Sequence, residues 1–288
     1  MSRLCIIGVG LLGSSVARAA RQQGLAKTIT GYDRDSANLA RALELGVLDT
    51  ACQTLAEAVS VADRVVLAIP VGGVAGVLAA LKPDWNPATH YTDVGSTKQD
   101  LIAALHAVFG GMPPNFVPAH PIAGAEQSGV EAGKADLFIG KRVILTPCPE
   151  TSAEALADIM AFWQGMGAIV ACMEPLRHDE ILAATSHLPH VLAFVLTDLL
   201  GRMDEQEAIF QYAAGGFRDF SRIASSDPVM WRDICVSNQA RIVPLLDEYC
   251  NALMAVRNLI ANGSTDELHC VFDRARSARQ RFLNLFQQ

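Results

Sequence analysis

The chain has 288 residues, 51% apolar and 18% charged, with a formal net charge of −7. Such a composition fills one large or two smaller cores, excludes intrinsic disorder, and argues against a general nucleic-acid binder. Seven scattered cysteines, none spaced as CxxC, suggest reduced thiols in a cytoplasmic protein with no cysteine-built zinc site.

The N-terminus enters a strand pattern directly, with no signal-peptide architecture, and no apolar run approaches the roughly 20 residues of a membrane span. Leu4–Ile7 reads as a buried strand, followed by a glycine turn and an alanine-rich helix to about Gln23. Thr28–Tyr32, a helix over Ser36–Leu45, Arg64–Ile69, a helix over Val74–Leu81 and His90–Val94 continue the alternation. Further strand-like runs occur at Phe116–Ala119, Arg142–Thr146 and Ile169–Ala171, with a helix over Ala153–Met166. This rhythm predicts an α/β fold, a doubly wound parallel sheet of Rossmann type. From Glu174 onward only helical periodicity remains, broken at Gly215-Gly216, Asp227-Pro228 and Asn262-Gly263. Two domains are therefore expected: 1–172, binding a dinucleotide, and 173–288, all helical.

Gly8-Val9-Gly10-Leu11-Leu12-Gly13 matches GxGxxG and has a strand before it and a helix after it. Gly8 permits the tight turn, Gly10 lets a pyrophosphate approach the backbone, and Gly13 allows close helix–strand packing. The helix N-terminus, at Leu11 and Leu12, then offers free N–H groups to the phosphates. Asp33, twenty residues after Gly13, suits the ribose hydroxyls and favours NAD over NADP, while the neighbouring Arg34 pulls the other way. Ile69 and Pro70 end a strand beside the expected nicotinamide path.

Further segments narrow the field: Thr92–Lys98, His120–Gly129, Ser186–His190, Gly215–Ala224 and Asp227–Trp231. Their order and spacing closely resemble the prephenate/arogenate (cyclohexadienyl) dehydrogenase family along nearly the whole chain. The resemblance implies a Rossmann-like domain, a helical domain forming a homodimer, and NAD-dependent oxidative decarboxylation of prephenate, or of arogenate, in tyrosine biosynthesis. It implies that His120 is the catalytic histidine and that Ser96 shares its hydrogen bond to the substrate hydroxyl. It assigns Arg222 to a substrate carboxylate and His190 to a second substrate contact. Ser186, His187, Ala125, Glu126 and Asp219 fall in the same substrate-binding segments. The chemistry wants such residues: a histidine takes a proton near neutral pH, and a guanidinium clamps a carboxylate in two-point fashion.

The same residues admit plainer readings. His120 before a proline caps a strand, Ser96 caps the helix beginning near Lys98, and Trp231 and Phe217 belong to a core. Glu126 and Asp219 are solvated surface charges, and Arg218 and Arg232 rival Arg222 as anion binders. His187 and His190 share a helix face, but no third ligand at a recognisable spacing accompanies them, so no metal is expected. The rival functions are a β-hydroxyacid or imine-reducing dehydrogenase and a catalytically silent NAD sensor. With no regulatory domain expected after Gln288 and no mutase-like helix before Met1, feedback by tyrosine would act at the active site.

Overall fold

In the computed structural model, residues 2–124 and 127–286 are described. The chain begins β1 (Ser2–Ile7), α1 (Leu11–Gln22), β2 (Ala26–Tyr32), α2 (Ser36–Glu44), β3 (Thr50–Ala51) and α3 (Leu55–Val59). It continues β4 (Arg64–Leu67), α4 (Val74–Leu81), β5 (His90–Asp93), α5 (Gln99–Phe109) and β6 (Phe116–Val117). These strands form a six-stranded parallel sheet in the order β3-β2-β1-β4-β5-β6. Order reverses between β1 and β4, so a crevice opens beyond their C-terminal ends, where α/β sheets bind ligands. Strand alternation sets the two layers of core. Leu4 and Ile6 pack with Val16, Phe138 and Trp163 on one face, while Cys5 and Ile7 pack with Leu78, Tyr91 and Phe116 on the other.

A second, three-stranded sheet follows, in the order β7 (Ala119–Pro121), β8 (Arg142–Leu145), β9 (Ile169–Cys172), with α6 (Ala153–Gly165) between the last two. The predicted strand 116–119 is thus two strands in two sheets. Pro118 lies between them; it has no N–H to give either ladder, and the chain changes sheets there. His120 is consequently the middle residue of β7, paired across to Ile144, and not the last residue of a core strand.

Helices fill the rest: α7 (Pro175–Leu182), a π-helical turn (Ala183–His187), α8 (Leu188–Gly201), α9 (Gln206–Gln211), α10 (Gly215–Ser221), α11 (Pro228–Ser237), α12 (Gln239–Ala261) and α13 (Thr265–Phe286). The π turn has a local cause. Pro189 cannot donate to the carbonyl four residues back, and Thr185 Oγ1 turns to the Ile181 carbonyl at 2.7 Å. Pro175–Gly201 runs as one helical stretch of 27 residues, long and apolar enough to cross a membrane by length and composition alone. In the sequence this stretch holds no long apolar run, because Arg177–Glu180, Thr185–His187, His190 and Thr197-Asp198 divide it into short ones.

By internal contacts the chain divides into Met1–Gln239 and Ala240–Gln288. The second unit holds α12 and α13, joined by a turn with Gly263 at φ 65° and Ser264 N–H donating to the Leu259 carbonyl at 2.9 Å.

Candidate active site

The glycine turn shows what each glycine is for. Gly8 has φ 92°, and a Cβ there would strike the Ala68 carbonyl oxygen. A Cβ on Gly13 would strike the Gly8 carbonyl oxygen, so helix and strand meet only because it is absent. A Cβ on Gly10 would meet nothing within 4 Å. Gly10 is the residue at which α1 starts, and the helix has no side-chain cap among the described residues. Asp33 is held against this turn: Oδ2 accepts from Val9 N–H at 2.7 Å and Asn38 Nδ2 at 3.2 Å, and Oδ1 accepts from Asp35 N–H at 3.0 Å. Arg34 and Pro70 are exposed and Ile69 half-buried. The cradle fits a dinucleotide pyrophosphate with a ribose at the carboxylate. Gly10→Ala is therefore expected to leave the thermal midpoint unchanged but raise KM for NAD sharply, whereas Gly13→Ala lowers the midpoint. Equal destabilisation by the two would contradict an open face at Gly10.

Beyond β5, a buried ion pair ties the two sheets together. Lys98, with no exposed side-chain surface, donates to Asp93 Oδ2 at 2.5 Å and to the Ala119 carbonyl at 2.7 Å. Asp93 also accepts from Gly95 N–H at 2.8 Å and Ala119 N–H at 2.9 Å. Burial pushes the Lys98 amine down from the ordinary lysine range, against the pull of Asp93. Both partners grip Ala119, so this pair fixes the residue before His120.

His120 retains 9% of its surface. Its Nδ1 lies 2.8 Å from His178 Nε2, and His178 Nδ1 lies 2.8 Å from Asp179 Oδ1. Asp179 also accepts from Lys98 N–H and Gln99 N–H, each at 2.9 Å, and thereby caps α5. Burial works to raise this carboxyl, but the hydrogen bonds from His178 and the two backbone N–H groups hold it below the usual carboxylate range. The expected Ser96 cap is corrected by this finding. α5 begins at Gln99, Asp179 occupies the capping role, and the Ser96 hydroxyl has no partner among the described residues.

Burial, then the electrostatic influence of His178, Lys98 and His187, pushes His120 well below the ordinary value of 6.5. His187 is pushed down to about 4, mainly by burial. His187 Nδ1 accepts from Asn238 Nδ2 at 3.1 Å; its Nε2 and Trp231 Nε1 are buried with no partner among the described residues. His190 directs Nδ1 at the Ser186 carbonyl, 2.8 Å away, and stacks on Trp231 at 3.7 Å. Burial lowers His190, and Arg222 adds to that shift, so Arg222 lies within electrostatic reach of it. His120, His187, His190 and Arg222 thus form one electrostatically linked row. Asp219 stands apart, strongly exposed and 3.6 Å from Arg218. Ala125 and Glu126 lie outside the described residues. Trp231 is both core and stacking partner. Phe217 lies 5.9 Å from Phe210. The sequence reading missed His178, Asp179, Asn238 and the Asp93–Lys98 pair; the one available hint was a His-Asp dipeptide in an otherwise amphipathic helix.

Comparison with known proteins follows the same lines. Models of the prephenate dehydrogenase nucleotide-binding domain and the prephenate dehydrogenase dimerization domain match residues 16–172 and 174–274. The chain is 38% identical over 281 residues to the cyclohexadienyl dehydrogenase of Zymomonas mobilis, covering 96% of this chain and 94% of that one. It is 33% identical to the prephenate dehydrogenase of Bacillus subtilis, covering 96% and 75%. Its structure superposes on prephenate dehydrogenase from Aquifex aeolicus in complex with hydroxyphenyl propionate and NAD+ with a TM-score of 0.90, at 35% identity and 98% coverage of both chains.

Proposed function

The chain belongs to the prephenate dehydrogenase family of NAD-dependent oxidoreductases, and from that membership we propose how its own residues convert prephenate to 4-hydroxyphenylpyruvate and CO₂ in tyrosine biosynthesis. The chain of contacts from Asp179 through His178 to the buried His120, with His190 stacked on Trp231, is the observation that carries this reading. Residues 1–172 bind NAD and residues 173–288 build the substrate side and the dimer, a division supported by the two family-model matches.

His120, neutral at physiological pH, takes the proton of the ring C4 hydroxyl as hydride leaves the same carbon. Bound NAD supplies the hydride acceptor, held by Gly8, Gly10, Gly13 and the start of α1. Ser96 Oγ shares the hydroxyl's hydrogen bond. Loss of CO₂ aromatises the ring, and the proton on His120 returns to the phenolate oxygen, so no net proton is released. Arg222 and His190 hold the side-chain carboxylate, and the buried N–H groups of His187 and Trp231 gain partners when a carboxylated substrate enters. Asp33 beside the ribose favours NAD over NADP, because a 2′-phosphate would meet a carboxylate.

Arogenate differs from prephenate by an ammonium in place of a keto group, and a buried cation needs an acidic partner. Ala125 offers none. Prephenate is therefore expected to be the better substrate, with arogenate accepted more weakly. Steady-state kinetics with both substrates and both cofactors checks this. A hundredfold preference for arogenate, about 2.7 kcal/mol, would overturn it, and Ala125→Asp should move the ratio toward arogenate.

The assembly is a homodimer in the cytoplasm. Large apolar side chains stand exposed on three helices: Val195 and Leu199 on α8, Leu253, Met254 and Ile260 on α12, and Phe272 on α13. Faces of this kind are covered in obligate interfaces. Light scattering at micromolar concentration should return twice the 30.8 kDa chain mass; a monomer would contradict the dimer.

A further inference from the structure

We propose that His178 and Asp179 are positioning residues that fix His120 as its Nδ1–H tautomer and leave Nε2 bare to accept the substrate proton; this rests on His120 being the proton acceptor argued above. Donor counting along the chain of hydrogen bonds leads there. The Asp179 carboxylate can only accept, so His178 Nδ1 carries the proton of their 2.8 Å contact. With that the only proton on His178, Nε2 presents a lone pair, and the 2.8 Å contact to His120 calls for Nδ1–H on His120. His120 Nε2 is left unprotonated.

The same chain answers the charge that forms during turnover. When Nε2 takes the hydroxyl proton, His120 becomes an imidazolium, its Nδ1–H bond to His178 strengthens, and the Asp179 carboxylate compensates through His178. His178, Lys98 and His187 all bear on His120 in the sense that opposes that charge, so the compensating group in the hydrogen-bonded chain is the Asp179 carboxylate. Asp179 is itself anchored by the Lys98 and Gln99 N–H groups, so the chain is fastened to the start of α5. His178 and Asp179 have at most 2% of their side chains exposed, and neither is positioned to be replaced by water. An intervening histidine extends the orienting logic of an acid–histidine pair by one ring.

The test combines spectroscopy with two substitutions at His178, because changing Asp179 would also uncap α5. Long-range ¹H–¹⁵N spectra of enzyme labelled at histidine report the tautomer of each ring, and the His120→Asn spectrum identifies the His120 signals. The unsubstituted enzyme should show His120 as Nδ1–H at neutral pH. His178→Leu fills the space without an acceptor and should lower kcat by about 10²-fold or more, leave KM for NAD and prephenate unchanged, and shift His120 toward the Nε2–H form. His178→Gln sets an amide oxygen near the lost Nε2 and should restore both the tautomer and most of the turnover. An Nε2–H His120 in the unsubstituted enzyme, or full turnover in His178→Leu, overturns the proposal. Should His178→Leu fail to fold, the unsubstituted and His178→Gln spectra still decide it. If His120→Asn is inactive while His178→Leu is fully active, the positioning role alone fails. If His120→Asn is itself fully active, the proton-acceptor reading fails.

Discussion

Replacing His120 with Asn should lower kcat by about 10²–10⁴-fold while NAD still binds. The substitution removes the atom that takes the hydroxyl proton and leaves the glycine cradle, formed by residues 8–13 at the end of β1, untouched. The pH dependence follows from the sign of the shift. Burial, and then His178, Lys98 and His187, depress His120 well below 6.5, so the ring stays neutral and competent as pH falls through that value. Log kcat/KM should remain level there and decline only at more acidic pH, once the ring is protonated before substrate arrives. From sequence alone the decline belongs in the ordinary histidine range; burial moves it down. Near-normal turnover in His120→Asn would remove the residue from the mechanism, and a break at the ordinary value would contradict its burial.

Replacing Arg222 with Ala should raise KM for prephenate by roughly 30-fold or more and leave KM for NAD alone. A carboxylate that loses a two-point guanidinium partner has no equivalent replacement, and Arg222 is close enough to His190 to lower its pKa. Of the two rival arginines, Arg218 lies 3.6 Å from Asp219 and Arg232 pairs with Asp233 at 2.6 Å. Asp233 in turn packs on Gly72, where a Cβ would clash with its carboxylate, so Arg232 is tied to the junction of α11 with the nucleotide domain. If KM stays level and only the melting temperature moves, Arg222 is structural and one of the rivals takes its role.

What could be read from the sequence was whatever depends on neighbours along the chain. The glycine turn, the alternation of strands and helices, and the change of style after residue 172 are all local signals. Site segments were legible because their order and spacing match a family. The buried polar scaffold was not. Asp179 and Lys98 are 81 residues apart, and His120 and His178 are 58 apart. In one dimension Asp179 is indistinguishable from a solvated helix charge, since only the fold reveals that it is buried and capping another helix. The transfer of β7 out of the main sheet was hidden for a related reason. Phe116–Ala119 reads as one apolar run, and the effect of Pro118 depends on which ladder lies on either side.

The π-helical turn at Ala183–His187 carries an evolutionary cost. One residue more than an α-helical turn requires rotates everything after it by about 100°, which sets where His190 meets Trp231. Each such turn weakens the helix that contains it. Selection for a more stable helix would delete the extra residue and straighten Pro175–Gly201, and the gain in stability would come with His190 rotated off Trp231. The turn marks a place where thermal stability and activity pull this sequence in opposite directions.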